Sequence, residues 1–113
     1  MTSPHDSPTA AEIVEAVKEW IERDVMSSSD GRIQFHARVA VNMLDMVMRE
    51  MELGDAQAKA HASVLASLGA ESDGDLSRRI RAGDWDASLR FLVAALRPVV
   101  EDKVRVANPR YLR

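Results

Sequence analysis

From Gly31 to Leu53 the chain reads GRIQFHARVAVNMLDMVMREMEL, with no proline inside and Gly54 directly after it. On a helix turning ~100° per residue, the apolar side chains from Phe35 to Met51 cover roughly two-thirds of the circumference. What remains polar is a narrow strip, Arg38, Asn42, Asp45 and Arg49, at i, i+4, i+7 and i+11. A helix that apolar cannot lie on a surface with one face in water, so the segment predicts the middle helix of a small bundle. Gly54 predicts its end and Asp55 the start of the next helix, which places the two antiparallel across a tight connection.

The other segments follow the same period. Thr9-Ala10-Ala11-Glu12 has the form of a capping box, in which Glu12 reaches back to the Thr9 amide. Behind it Ile13, Val14, Val17, Trp20, Ile21 and Val25 recur at helical spacing. Ser27 to Gly31 is a turn. A third helix from about Ala56 to Leu68 is rich in alanine, and Gly69 stops it. Glu71-Ser72-Asp73-Gly74 reads as a loop, and Leu76 with Ile80 gives one short helix ending at Gly83. Asp84 is placed to cap a last helix whose Trp85, Leu89, Leu92, Leu96 and Val99 form a heptad seam. Pro98 lies inside it and predicts a kink or break, because it removes the bond to the Ala94 carbonyl. No segment alternates at period two. The expectation is an all-α fold: a small helical bundle of four main helices plus one short helix, with residues 31–53 central. Residues 1–8 are expected to be a disordered tail and 9–113 a single helical domain.

Composition narrows the function classes. The chain is 113 residues long, 46% hydrophobic and 29% charged, with a net charge of −3 and no cysteine. An acidic chain without a concentrated basic face does not carry a nucleic-acid footprint. Disulfides and thiolate metal sites are excluded. No apolar run approaches the ~18 residues that span a bilayer, and the N-terminus lacks the pattern of a signal peptide, so no membrane partner and a cytoplasmic location are expected.

Catalytic signatures are missing: no Gly-x-Ser-x-Gly, no phosphate-cradling glycine loop, no His-Glu-x-x-His and no dinucleotide fingerprint. Asp73-Gly74-Asp75 lacks the further oxygen ligands of a cation loop and reads as a turn. His36 and His61 align with apolar neighbours and read more simply as satisfied core residues than as metal ligands. No metal, cofactor or catalytic residue is therefore expected, and the chain reads as a non-enzyme. The strip of Arg38, Asn42, Asp45 and Arg49 is the candidate binding site, with Asn108 at the Asn-Pro end of the last helix as a possible fifth member. Two readings stand. Asp45 can pair with either arginine along the helix and leave a solvated, cross-braced edge, or the two guanidinium forks can receive a carboxylate or phosphate.

As a set, Phe35-His36-Ala37-Arg38-Val39-Ala40-x-Asn42, Arg49-Glu50, Ile80-Arg81-Ala82-Gly83 and Val104-x-Val106-Ala107-Asn108-Pro109-Arg110-Tyr111-Leu112 resemble a small bacterial domain family of unknown function. The resemblance runs over about residues 11–112. Members of that family are typically encoded beside, or fused behind, aminoglycoside-phosphotransferase-like kinases, often near acyl-CoA dehydrogenases. The resemblance implies an accessory module that docks on such a kinase. The alternative is a helical bundle that binds an acyl or phosphorylated metabolite. A homodimer is also expected, because the last seam and the middle helix offer more apolar face than one small core consumes.

Overall fold

The computed structural model describes residues 7–112. Among them there is no strand, and the fold is all-α. It has four α-helices: α1 (Ala10–Trp20), α2 (Gly31–Ser67), α3 (Asp73–Arg81) and α4 (Leu89–Ala107). A π-helical turn, Ile21–Val25, extends α1 directly, and 3-10 turns lie at Asp86–Ser88 and Pro109–Leu112. The tail expected to be disordered falls, for residues 1–6, outside the described residues. The helices group into two compact units, residues 1–52 and 53–113, so that α2 contributes its first part to one and its last part to the other.

The capping box forms as its sequence requires. The Thr9 hydroxyl accepts from the Glu12 amide at 3.1 Å, and a Glu12 carboxylate oxygen accepts from the Thr9 amide at 2.8 Å. That hydrogen bond holds the Glu12 carboxyl below its ordinary pKa. At the other end, Ser27, Ser28 and Ser29 donate their hydroxyls to the carbonyls of Arg23, Asp24 and Val25. These bonds satisfy carbonyls that a helix terminus leaves without partners. Gly31, at φ +53, then makes the left-handed step into α2.

The first unit is held by contacts that fix its geometry. The Gln34 side-chain amide donates to the carbonyls of Met26 (3.0 Å) and Ser29 (3.1 Å) near the turn. Further away, Lys18 Nζ meets Asp45 Oδ1 at 2.7 Å. Partners that diverge symmetrically from one turn make α1 and the start of α2 antiparallel. Among the described residues of this unit only Ala37 and Val41 are buried.

The second unit has a better-formed core. Leu68, Ala70, Leu76 and Leu92 are buried together, and Val64, Leu65, Ile80, Trp85 and Leu96 pack against them. The Gln57 side chain donates to the Asp102 carbonyl at 3.0 Å and ties α2 to α4. The last seam is thus largely consumed here: Leu92 is 4% exposed and only Leu89 of the five residues is open to solvent.

Several boundaries differ from those the sequence predicts. α2 passes through Gly54 without stopping, so the helices expected at 31–53 and 56–68 are one. A mid-helix glycine costs only about 1 kcal/mol, and the strong helix formers on either side outweigh it. The loop expected at 71–74 is in part the first turn of α3. The Ser72 hydroxyl accepts from the Asp75 amide at 3.1 Å, while an Asp75 oxygen accepts from the Glu71 amide at 3.0 Å. Asp84 does not cap α4, which begins at Leu89 after a 3-10 turn. Pro98 lies inside α4, and the helix is not broken there.

Candidate functional site

The amount of apolar surface on α2 is explained by two faces. Ala37, Val41, Leu44 and Met48 follow one another at 4, 3 and 4 and make the buried or half-buried side. Phe35, Val39, Met43 and Met46, at 4, 4 and 3, line the opposite side. At ~100° per residue Phe35 stands roughly 160° from Ala37, and Val39 a similar angle from Val41. This outer stripe is uncovered: Phe35 is 63% and Met43 61% exposed, with Val39 and Met46 also open. Burying such side chains is worth about 1.5–3 kcal/mol each.

The polar strip runs along one border of that stripe. Arg38 and Asn42 are exposed. Lys18 of α1 takes the Asp45 carboxylate, in a pair about one-quarter to one-third exposed. The same contact, led by the hydrogen bond to Asp45, raises the pKa of Lys18. Arg49 is half-buried and already engaged. Asn108 belongs to the second unit, where it ends α4: its amide donates to Val104 and its carbonyl accepts from Tyr111. The strip is therefore a half-committed edge, with Arg38 and Asn42 presented outward.

The histidines also depart from expectation. His36 is exposed, its ring edge-on to Phe35 at 5.7 Å between centroids. His61 is half-buried and hydrogen-bonded to Asp73 at 2.7 Å in the second unit. Among the described residues no group of three or more histidines and carboxylates could hold a metal ion. The arginines at 78 and 79 are drawn to Asp75, at 3.5 and 3.2 Å. The Glu71 amide, and after it those cations, keep the Asp75 carboxyl below its ordinary pKa. Arg81 donates to Ser77.

A feature that the periodicity does not reveal is a concavity of about 370 Å³ in the first unit. It is lined by Trp20, Ile21 and Val25 from the end of α1 and the π-turn, and by Arg32, Ile33, His36, Ala37 and Ala40 from α2. None of the four strip residues borders it. The only signal in the sequence is the pair of small residues, Ala37 and Ala40, opposite the bulky Trp20.

No helix among the described residues is long and apolar enough to cross a membrane. Residues 27–111 match the model of a family described as Domain of unknown function (DUF6285). The match takes in α2 to the final turn and leaves α1 outside, a narrower span than the motifs at 11–112 imply. No curated protein and no solved structure matches the chain.

Proposed function

Because the chain belongs to that family, whose description states no activity, we propose its function from its surface: it is a non-catalytic accessory module that docks on a protein partner through the outer stripe of α2. The observation that carries this reading is the uncovered Phe35-Val39-Met43-Met46 stripe, bordered by outward-facing Arg38 and Asn42. An aromatic anchor beside flexible methionines, with a polar border, has the make-up of a binding hot spot. The partner is a phosphotransferase-like kinase of the bacterial cytoplasm, the context that the family resemblance supplies.

A second reading is that another copy of the chain covers the same stripe. Phe and Met at 4, 4, 3 spacing can interleave with themselves about a two-fold axis. Capture of the kinase by the native chain, and its loss with Phe35→Asp/Met43→Asp, tests the first reading. Both substitutions fall at exposed positions, so circular dichroism should be unchanged while affinity falls at least ~30-fold, the loss of about 2 kcal/mol or more typical of a hot spot. Equal capture by native and variant chains refutes the stripe, and no capture by either refutes the kinase. Light scattering that gives twice the chain mass, returning to one chain mass in the variant, moves the conclusion to the homodimer.

A further inference from the structure

We infer that the concavity between the end of α1 and the first turns of α2 is a binding site for a small amphipathic anion, an apolar body carrying one carboxylate. It shares no lining residue with the docking stripe, although His36 on its border touches Phe35 of that stripe, and it does not rest on the docking reading. Three observations converge on it.

The first is its lining. Trp20, Ile21, Val25, Ile33, Ala37 and Ala40 make an apolar wall and floor, and about 370 Å³ lies within the size range of small-ligand sites, ~300–1,000 Å³. Ala37 and Ala40 leave the space that a larger residue would fill. Trp20, a large indole beside that space, is still 53% exposed.

The second is charge. Arg32 sits in the first turn of α2, where the unpaired amides already make the helix end positive and a cation is unfavourable. No acidic residue accompanies it in that turn, and no carboxylate among the described residues forms an ion pair with it. His36, one turn on, adds a ring nitrogen to the same border. A carboxylate there meets a guanidinium fork, an imidazole and the positive end of a helix together.

The third is backbone. Part of the cavity wall is the π-turn Ile21–Val25, in which the Met26 amide donates to the Ile21 carbonyl at 2.9 Å. Such turns are rare and recur at functional sites. Here the turn supplies Ile21 and Val25 to the same cavity wall as Trp20. The order of the site is then set: the apolar body lies on Trp20, Ile21 and Ala40, and its carboxylate points to Arg32 and His36.

Trp20 itself reports occupancy. In a Trp85→Phe background, octanoate should shift the Trp20 emission saturably, with an affinity at least tenfold above that of 1-octanol, which has the same chain and no charge. Arg32→Gln should remove that advantage and leave octanol unchanged. Ala40→Phe, which fills the floor, should abolish both responses. Equal affinities for octanoate and octanol in the native chain, an octanoate affinity indifferent to Arg32→Gln, or no saturable response to either overturns the assignment. Calorimetric titration of the unaltered chain with octanoate gives the same answer free of any effect of the Trp85 change.

Discussion

Replacing Ala56 by proline separates the continuous α2 from the pair of helices that Gly54 suggests. Ala56 is exposed and lies in the interior of α2, so the substitution meets no packed neighbour and acts on the backbone alone. In a continuous helix the new ring removes the amide that bonds the Glu52 carbonyl and clashes with that carbonyl, a cost of about 3 kcal/mol. If the chain turned at Gly54 and Asp55 capped a new helix, position 56 would be its first residue, where proline is favoured. The two arrangements thus predict opposite results. With a denaturant slope of ~1.5 kcal/mol per molar urea, a 3 kcal/mol loss lowers the unfolding midpoint by about 2 M. Ala56→Gly is the control, with a loss of about 1 kcal/mol in the same helix interior. Urea titrations followed by circular dichroism measure both. A midpoint for Ala56→Pro equal to or above that of the native chain refutes the continuous helix.

Other expectations follow from the packing and the ion pairs. Leu92→Ala, at the best-buried large side chain, should cost about 2–5 kcal/mol by equilibrium unfolding, while Leu44→Ala, half-buried, should cost less. Lys18→Met removes the partner of Asp45 and should cost about 1 kcal/mol at neutral pH. Since the folded state raises the Lys18 pKa above its ordinary 10.5, that contribution is whole below 10.5 and is lost as pH rises through the folded value. Melting curves of native and Lys18→Met chains should therefore converge in strong alkali. Asp75 behaves in the opposite sense. Its folded pKa lies below the ordinary 3.8, so its contribution is present above that value and lost as pH falls further. The melting difference between native and Asp75→Asn chains should be larger at pH 7 than at pH 2, and a difference independent of pH would count against the Glu71 and arginine contacts.

What could be read from the sequence was what is local. The Thr9–Glu12 box needs only four residues, and it forms. The apolar face of α2 was legible in amount, because side-chain identity at 100° steps fixes how much of the circumference is greasy. What covers that face was not, since nothing within α2 says that α1 takes only the Ala37-Val41 side. Gly54 misleads for a related reason. As a single residue it looks like a stop, yet its cost is smaller than the sum of the preferences of the Glu, Met, Leu, Ala and Lys residues around it. Gly74 hid the Ser72 cap in the same way. The helix period shows Asp45 beside Arg38 and Arg49 but not Lys18, which lies on another helix, and a contact across 27 positions of sequence leaves no periodic trace. The π-turn has no sequence signature at all, and without it the Trp20 concavity could not be foreseen.

The proposed docking stripe carries its own chemical reporters. Met43 is exposed and Met46 is open beside it, whereas Met26 is half-buried at the turn and serves as the internal reference. Thioether oxidation by dilute peroxide, followed residue by residue with peptide mass spectrometry, measures how accessible each sulfur is. In the presence of a saturating phosphotransferase-like kinase, oxidation of Met43 and Met46 should slow at least tenfold while Met26 keeps its rate. Unchanged rates at Met43 and Met46 in a complex that demonstrably forms would contradict docking through the outer face of α2.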